Sequence, residues 1–499
     1  MGTTFLKYAL SCTFILYFFG FNAGALDVFS VFRKECGKKP SIAIIGAGIG
    51  GTSCAYFLTE LFGKDVYIDI FEAEEVGGRL KSQYIGGIEV ELGGAVIHPR
   101  NKYMKSFVKK FGLEVELVHP GRAGIYNGKE FIFLESGWSF IDYFRMIYRY
   151  GLVNSFHFFK DIEYMLDKFE RVYNTLEKGY GFRSAEKMLE YMHRSFPGMR
   201  NVTIEEAFRK QFGDLMYEEI ILPIMRVNYG QGGNLHQFVG SVSLAGAMPG
   251  LWSVKGGNRR VAEELLKASS ALIMRSPVYQ INYNVFDQKY TLSFPQLMEG
   301  NFPQSEDYDV VVVAAPITED SEFPIEFGPS ILTDYYKPRP YHTTHVTIIE
   351  GKLNYTVFNC SVDPPPTEIF TPNSNLMFNS LTRLTKDDDK FELWKIFSSE
   401  RLNPYDLELY FGEDFEVRLE KVWEAYPEYE VPTLIEDSFF IQHNLYYLNA
   451  VEWAASAMEM SVLSAKNIAV IIHKFWQRSN DYGWFCYFCK GPENFWRKY

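Results

Sequence analysis

Positive charge is scarce in this chain. Against 62 Asp and Glu stand 50 Lys and Arg, a net charge of −12, and no basic cluster interrupts that balance. A nucleic-acid backbone is gripped by clustered Lys and Arg, so nucleic acid is excluded as a partner. Cysteine is equally sparse: Cys12, Cys36, Cys54, Cys360, Cys486 and Cys489. The single CxxC, Cys486–Cys489, has no second pair to complete a zinc site and no strand–helix context for a redox motif, so no metal is expected. A disulfide among Cys36, Cys360, Cys486 and Cys489 suits an oxidising compartment, with its pairing left open. Cys54 reads as a small buried thiol inside a helix.

The apolar run Tyr8–Phe21 behind Lys7 is too short for a comfortable membrane span but right for the core of a signal peptide. Ala23-Gly24-Ala25 offers the cleavage site, so residues 1–25 are expected to be a leader. Leu6 occupies the position where a myristoylation signal needs Ser or Thr. The sequons at Asn201, Asn354 and Asn359 support entry into the secretory pathway and glycosylation there. Neither internal repeats nor low-complexity tracts occur in the two stretches that interrupt the cofactor pattern described next.

What the chain does have is concentrated between Ser41 and Arg79. Ser41–Ile45 is an apolar β-branched run, the mark of a buried parallel strand. It feeds Gly46-Ala-Gly48-Ile-Gly50-Gly51 and then a helix beginning near Thr52. Gly46 permits the tight turn, Gly48 lets backbone approach a pyrophosphate, and Gly51 lets helix lie against strand. A second strand, Val66–Phe71, ends at Glu72, 21 residues beyond Gly51, where an acid can accept both ribose hydroxyls of an adenosine. A lone glycine cluster is weak, since ordinary turns have them too; strand, glycines, helix, strand and acid in order are not.

Glu75-Val-Gly77-Gly78-Arg79 follows at once. This extension resembles the FAD-dependent amine oxidase and phytoene desaturase superfamily, and the resemblance implies that Gly78 bends under the cofactor with Arg79 near pyrophosphate and flavin. A guanidinium fork suits phosphate, although a β-turn with a solvated arginine has the same letters. Further segments fit the same pattern. Ile85-Gly-Gly-Ile88 reads as a two-residue hairpin leading to Glu91-Leu-Gly93-Gly94, and Gly256-Gly-Asn258 opens an amphipathic helix. Pro277–Ile281 reads as a short strand whose Val278 resembles the adenine-contacting residue, and Tyr308–Pro316 as a buried strand. Glu452 and Met458 precede a helix to about Phe475, whose N-terminus, by the same resemblance, points at the flavin pyrimidine.

Taken with Gly93–Pro99, Met225–Gln231 and Ala455–Met460, these blocks are similar to the prenylcysteine oxidase family from about residue 40 to about 475. The resemblance implies noncovalent FAD and oxidation of a prenylcysteine thioether by dioxygen and water. The products would be free cysteine, a prenyl aldehyde and hydrogen peroxide, in the breakdown of prenylated proteins. Because FAD carries the oxidation, no catalytic side chain is required; His98 and Tyr229 are candidates for positioning substrate or water. A lysosomal destination follows from the family, with secretion as the alternative. No protein partner is indicated, while a lipid substrate allows peripheral membrane contact. Amine or polyamine oxidation on the same scaffold, or a non-catalytic FAD-stabilised lipid carrier, are the competing readings.

The expected fold is α/β. A Rossmann-like, discontinuous FAD-binding domain spans 38–125, 226–315 and 436–478, an inserted α+β substrate-binding domain spans 126–225 and 316–435, and 479–499 forms a C-terminal tail. The insert is rich in aromatics, with 14 between Phe131 and Tyr173. Phe140, Tyr143, Phe144 and Tyr148 share one helix face, suited to packing on neighbours or to wrapping a long apolar ligand.

Overall fold

The apolar runs at Ser41–Ile45 and Val310–Val313 become adjacent parallel strands at the centre of a six-stranded sheet. Every residue from Ile42 to Ile45 and from Val310 to Val313 is buried, so each Ile and Val side chain contributes on the order of 1.5–3 kcal/mol of hydrophobic stabilisation. Across this computed structural model the sheet order is Phe440–Gln442, Leu445–Tyr447, Val310–Val313, Ser41–Ile45, Tyr67–Phe71, Leu272–Met274. All pairings are parallel except the outermost one, between Phe440–Gln442 and Leu445–Tyr447. A single register, Ile44 between Val312 and Ile70, therefore joins three distant stretches of chain.

The structure describes residues 39–482, apart from 119–120, 247, 296–303, 332–337, 386–390 and 434–436. The expected leader, Cys36 and the CxxC of the tail lie outside the described residues. Residues 41–471 form one compact unit; the described part of a second is residues 39–40 and the helical stretch 472–482.

Within the larger unit a seven-stranded sheet runs Phe415–Pro427, Tyr341–Gly351, Leu393–Ser398, Ser380–Arg383, Glu368–Phe370, Ala123–Tyr126, Phe131–Leu134. Its long pair, Tyr341–Gly351 against Phe415–Pro427, is antiparallel with bulges between His342 and Thr343 and between Ile348 and Ile349. Helices fill most of the chain from Ser139 to Ala245. The Ile85–Ile88 hairpin forms as expected, with left-handed φ at Gly86 (59°) and Gly87 (84°). Among the described residues no helix is long and apolar enough to cross a membrane.

Three expectations are corrected. The strand near Val278 begins only at Gln280 and runs to Asn284, leaving buried Val278 in the loop before it. The last helix runs from Met458 to Tyr482, beyond Phe475. The aromatic face of the Ser139–Tyr150 helix packs on little of the protein: Phe144 is 66% and Tyr148 95% exposed. Helical periodicity shows that these rings share a side of the helix, but not whether that side meets protein or solvent.

Candidate functional site

The glycine loop is built as a cradle. Gly46 takes φ of 105° and donates its N–H to the Phe71 carbonyl at 2.7 Å, which closes the turn between the two strands. The helix Ile49–Phe62 starts at Gly48 with no side-chain cap and no acid in its first turn. Its positive end is thus left for an external anion. A Cβ on Gly51 would collide with the Gly46 carbonyl, so that glycine serves the close packing of helix on strand. Gly48 differs: a Cβ there would meet only the Gly77 carbonyl at 3.7 Å and the Gly78 Cα at 4.0 Å. A Cβ at Gly48 meets only ordinary contacts, so packing does not require a glycine there, and the residues present fit a dinucleotide pyrophosphate.

Glu72 lies at the end of the second strand with its carboxylate already oriented. It accepts the Ala47 N–H at 2.7 Å and the Glu74 N–H at 2.9 Å, leaving further lone pairs for ribose hydroxyls. Burial pushes its carboxyl above the ordinary range, and the two N–H donors pull it back toward the ionised form. Gly77 bridges to Gly48, and the Gly77 N–H donates to the Ala47 carbonyl at 2.9 Å, so the Gly77-Gly78 bend lies directly against the cradle.

Arg79 leaves that bend and pairs with Glu452 through both terminal nitrogens, while its Nη1 also donates to the Ala425 carbonyl at 2.8 Å. Burial alone would lower the guanidinium pKa; the Glu452 carboxylate outweighs it and keeps Arg79 charged. Glu452 is only 1% exposed and also accepts from the Tyr341 hydroxyl at 3.0 Å and Asn449 Nδ2 at 2.9 Å. Four protein donors fill the roughly four lone-pair positions of a carboxylate. Direct cofactor contact by the Glu452 side chain is therefore not supported; its role is to fix Arg79.

Gly94 and Met458 meet, since a Cβ on Gly94 would stand 3.7 Å from the Met458 Cε. The carbonyls of Gly94 and Ala95 are held by Asn258 Nδ2 at 2.9 and 3.0 Å, a clamp that the Gly256-Gly-Asn motif does not reveal in the sequence. Glu459, next to Met458, is turned away to cap the Lys102–Phe111 helix, accepting the Tyr103 N–H at 2.8 Å and the Met104 N–H at 3.0 Å.

The two positioning candidates differ in setting. Tyr229 is buried, donates its hydroxyl to the Ser456 carbonyl at 3.0 Å, and packs edge-on against Tyr426 and Tyr429. Burial drives its pKa well up, so it ties two segments together as a neutral phenol. His98 is half-buried and its Nδ1 accepts the Arg100 N–H at 3.2 Å; burial and then Arg100 lower its pKa, so it is neutral near pH 7. Gln231 donates to the Pro427 carbonyl at 3.0 Å and accepts the Tyr429 N–H at 3.2 Å, which ties the Met225–Gln231 block to the end of the long strand pair. Among the described residues no cluster of His, Cys, Asp and Glu could hold a metal.

An uncapped helix end on a mostly parallel sheet, an acid at the end of the second strand and a glycine bend against the loop mark a dinucleotide-binding fold of the Rossmann type. Residues 44–111 match the NAD(P)-binding Rossmann-like domain, and residues 133–482 match the prenylcysteine lyase family. The chain belongs to the prenylcysteine lyase family. It is 40% identical to prenylcysteine oxidase 1 of Homo sapiens over 463 residues, 88% of this chain and 90% of that protein. It is 31% identical to prenylcysteine oxidase 1-like of Homo sapiens over 465 residues, 88% of this chain and 91% of that protein. Among solved structures, cyclohexylamine oxidase from Brevibacterium oxydans aligns with a TM-score of 0.58 at 15% identity, covering 88% of this chain and 100% of that one. A fatty acid isomerase from P. acnes aligns with a TM-score of 0.59 at 16% identity, covering 86% and 98%. These structural likenesses speak to fold.

Proposed function

We propose that the protein is an FAD-dependent oxidase of prenylcysteine thioethers. Farnesyl- or geranylgeranylcysteine, dioxygen and water would give free cysteine, a prenyl aldehyde and hydrogen peroxide. Kinship along nearly nine-tenths of the chain with relatives named prenylcysteine oxidase carries this reading, and the side-chain-free space at Gly48 supports the cofactor. Bound FAD would supply the two-electron oxidation at the carbon between sulfur and alkene.

The chain's own residues bind, orient and exclude water. The Ile49–Phe62 helix end and the Gly46–Gly51 turn would hold the pyrophosphate, and Glu72 the ribose. We propose Arg79, held by Glu452 on leaving the Gly77-Gly78 bend, as a further cofactor contact. Gly78, Gly94, Val278 and Met458 are the remaining cofactor contacts we propose. FAD is held without a covalent bond: among the described cysteines, Cys54 is buried behind the loop and Cys360 lies within the Asn359-Cys-Ser361 sequon. We assign the cofactor domain to 38–125, 226–315 and 436–478 and the substrate domain to 126–225 and 316–435.

The compartment is the lysosome, reached through the secretory pathway, with glycans on Asn201, Asn354 and Asn359; all three side chains are exposed. The exposed rings of Trp138, Phe140, Phe144, Tyr148 and Phe156 support peripheral docking on a lipid surface, because aromatic side chains partition to membrane interfaces and the substrate is itself a lipid.

The test is an absorbance scan of purified protein, then anaerobic addition of farnesylcysteine. Flavin absorbance that bleaches on addition supports the reading; a colourless protein, or flavin that stays oxidised, overturns it.

A further inference from the structure

The helix Leu222–Tyr229, which ends in Tyr229, also buries a cation that has no anion. Arg226 is 7% exposed, yet no carboxylate lies within ion-pair distance of it among the described residues. Its Nη2 donates to Asn379 Oδ1 at 2.7 Å, and its Nε is buried without a partner. Burial lowers its pKa with no acid to oppose the effect, the reverse of Arg79. Taking an unpaired guanidinium out of water costs several kcal/mol, which a chain normally avoids by supplying a carboxylate.

A second buried polar atom without a partner stands beside it. His342 Nε2 has no hydrogen bond, and a Cβ on Gly230, the residue capping the Arg226 helix, would lie 2.6 Å from that nitrogen and 3.7 Å from Asn379 Nδ2. The charge of Arg226 reaches the His342 imidazole, so the two groups share one neighbourhood. Asn379 is itself 1% exposed and is held by Ser399 Oγ at 3.3 Å from its Nδ2. Arg226, His342 and Asn379 come from three separate segments that converge at Gly230. On the same helix, Tyr229 reaches the Ser456 carbonyl, two residues before the helix that begins at Met458.

We infer that Arg226, positioned by Asn379 and flanked by His342, receives the α-carboxylate of the cysteinyl end of the substrate. This rests on the proposed thioether oxidation, in which the ligand carries one carboxylate and a long apolar tail. Arg226 then neutralises the one anionic group that would otherwise have to be buried unpaired. The apolar tail supplies most of the binding, and the carboxylate fixes which end enters first.

The test compares farnesylcysteine with its methyl ester, which removes the negative charge and keeps the tail. Dissociation constants of the fully saturated acid and of its methyl ester, read by protein fluorescence, give binding without turnover. Wild-type protein should bind the saturated acid about ten- to a hundredfold tighter than the ester. Arg226→Gln should erase that difference while leaving the flavin spectrum unchanged. Arg226→Lys, which keeps the charge without the fork, should recover part of the preference and serves if the glutamine variant does not fold. Equal affinity of wild-type protein for acid and ester overturns the inference, as does a preference that survives in both variants. A change in flavin content with the preference intact overturns it too, by moving Arg226 to the cofactor. Failure of the oxidase reading looks different: no flavin bleaching by either substrate, whatever the binding constants.

Discussion

The guanidinium of Arg79 grips the carboxylate of Glu452 across 373 residues of chain, joining the bend after the second strand to the segment that leads into the Met458 helix. Arg79→Ala would leave Glu452 buried with only Tyr341 and Asn449 as donors. Arg79 is itself 30% exposed, so the cost falls below that of a fully buried pair, but the buried Glu452 loses its counter-ion and the urea midpoint should fall, with flavin dissociating more readily. Equilibrium unfolding with flavin fluorescence checks both. An unchanged midpoint would show that Glu452 does not depend on Arg79.

Two glycines separate ligand space from packing. Gly48→Val should abolish flavin binding and leave the melting temperature of the flavin-free protein nearly unchanged, because among the described residues the nearest atom across from its Cβ is the Gly77 carbonyl at 3.7 Å. Gly51→Ala should lower the melting temperature of both forms, because its Cβ would strike the Gly46 carbonyl. Flavin absorbance per protein and calorimetry distinguish them; a yellow Gly48→Val protein contradicts the cradle.

Glu368 gives a pH signature. Burial, then the neighbouring Glu135, pushes its carboxyl up to about 7, while an unfolded glutamate titrates near 4.5. Between those values the folded chain retains a proton that the unfolded chain has released, so this group's contribution to stability falls as pH rises from about 4.5 to about 7. Glu368→Gln cannot ionise. Its stability relative to wild type should rise through that window and level off above it. Paired unfolding curves at pH 5 and 7.5 check the sign, and a constant difference contradicts it.

The outward aromatic face predicts lipid binding driven by apolar burial rather than charge, since the chain is net negative. Phe144→Ser with Tyr148→Ser should reduce sedimentation with neutral phosphatidylcholine vesicles several-fold and leave turnover of detergent-dispersed substrate unchanged. Vesicle binding that survives both substitutions contradicts this use of the surface.

Much of the geometry of the candidate cofactor site was legible in the sequence because its parts are local. Gly46, Gly48, Gly51 and Glu72 lie on one strand–helix–strand unit, and the purpose of each follows from sterics within that unit. The partnership of Arg79 with Glu452 was not legible, because no spacing rule connects residues so far apart. For the same reason Glu452 stood as a cofactor contact until its four donors were visible. The Phe140–Tyr148 periodicity gave a helix face but not its surroundings, which depend on where the Leu152–Phe169 helix folds back. Arg226 was visible only as part of a family motif. What distinguishes it is the lack of an acid nearby among the described residues, and that emerges only when Asn379 and His342 have converged on Gly230.

The central claim is oxidation at a carbon activated by both sulfur and alkene. The direct test is one anaerobic stopped-flow series with farnesylcysteine, its fully saturated analogue and spermine. Loss of allylic stabilisation worth ~4 kcal/mol slows a reaction about a thousandfold, so farnesylcysteine should bleach the flavin rapidly, the saturated analogue about a thousandfold more slowly, and spermine not at all. Equal bleaching by the first two, or bleaching by spermine alone, would contradict it.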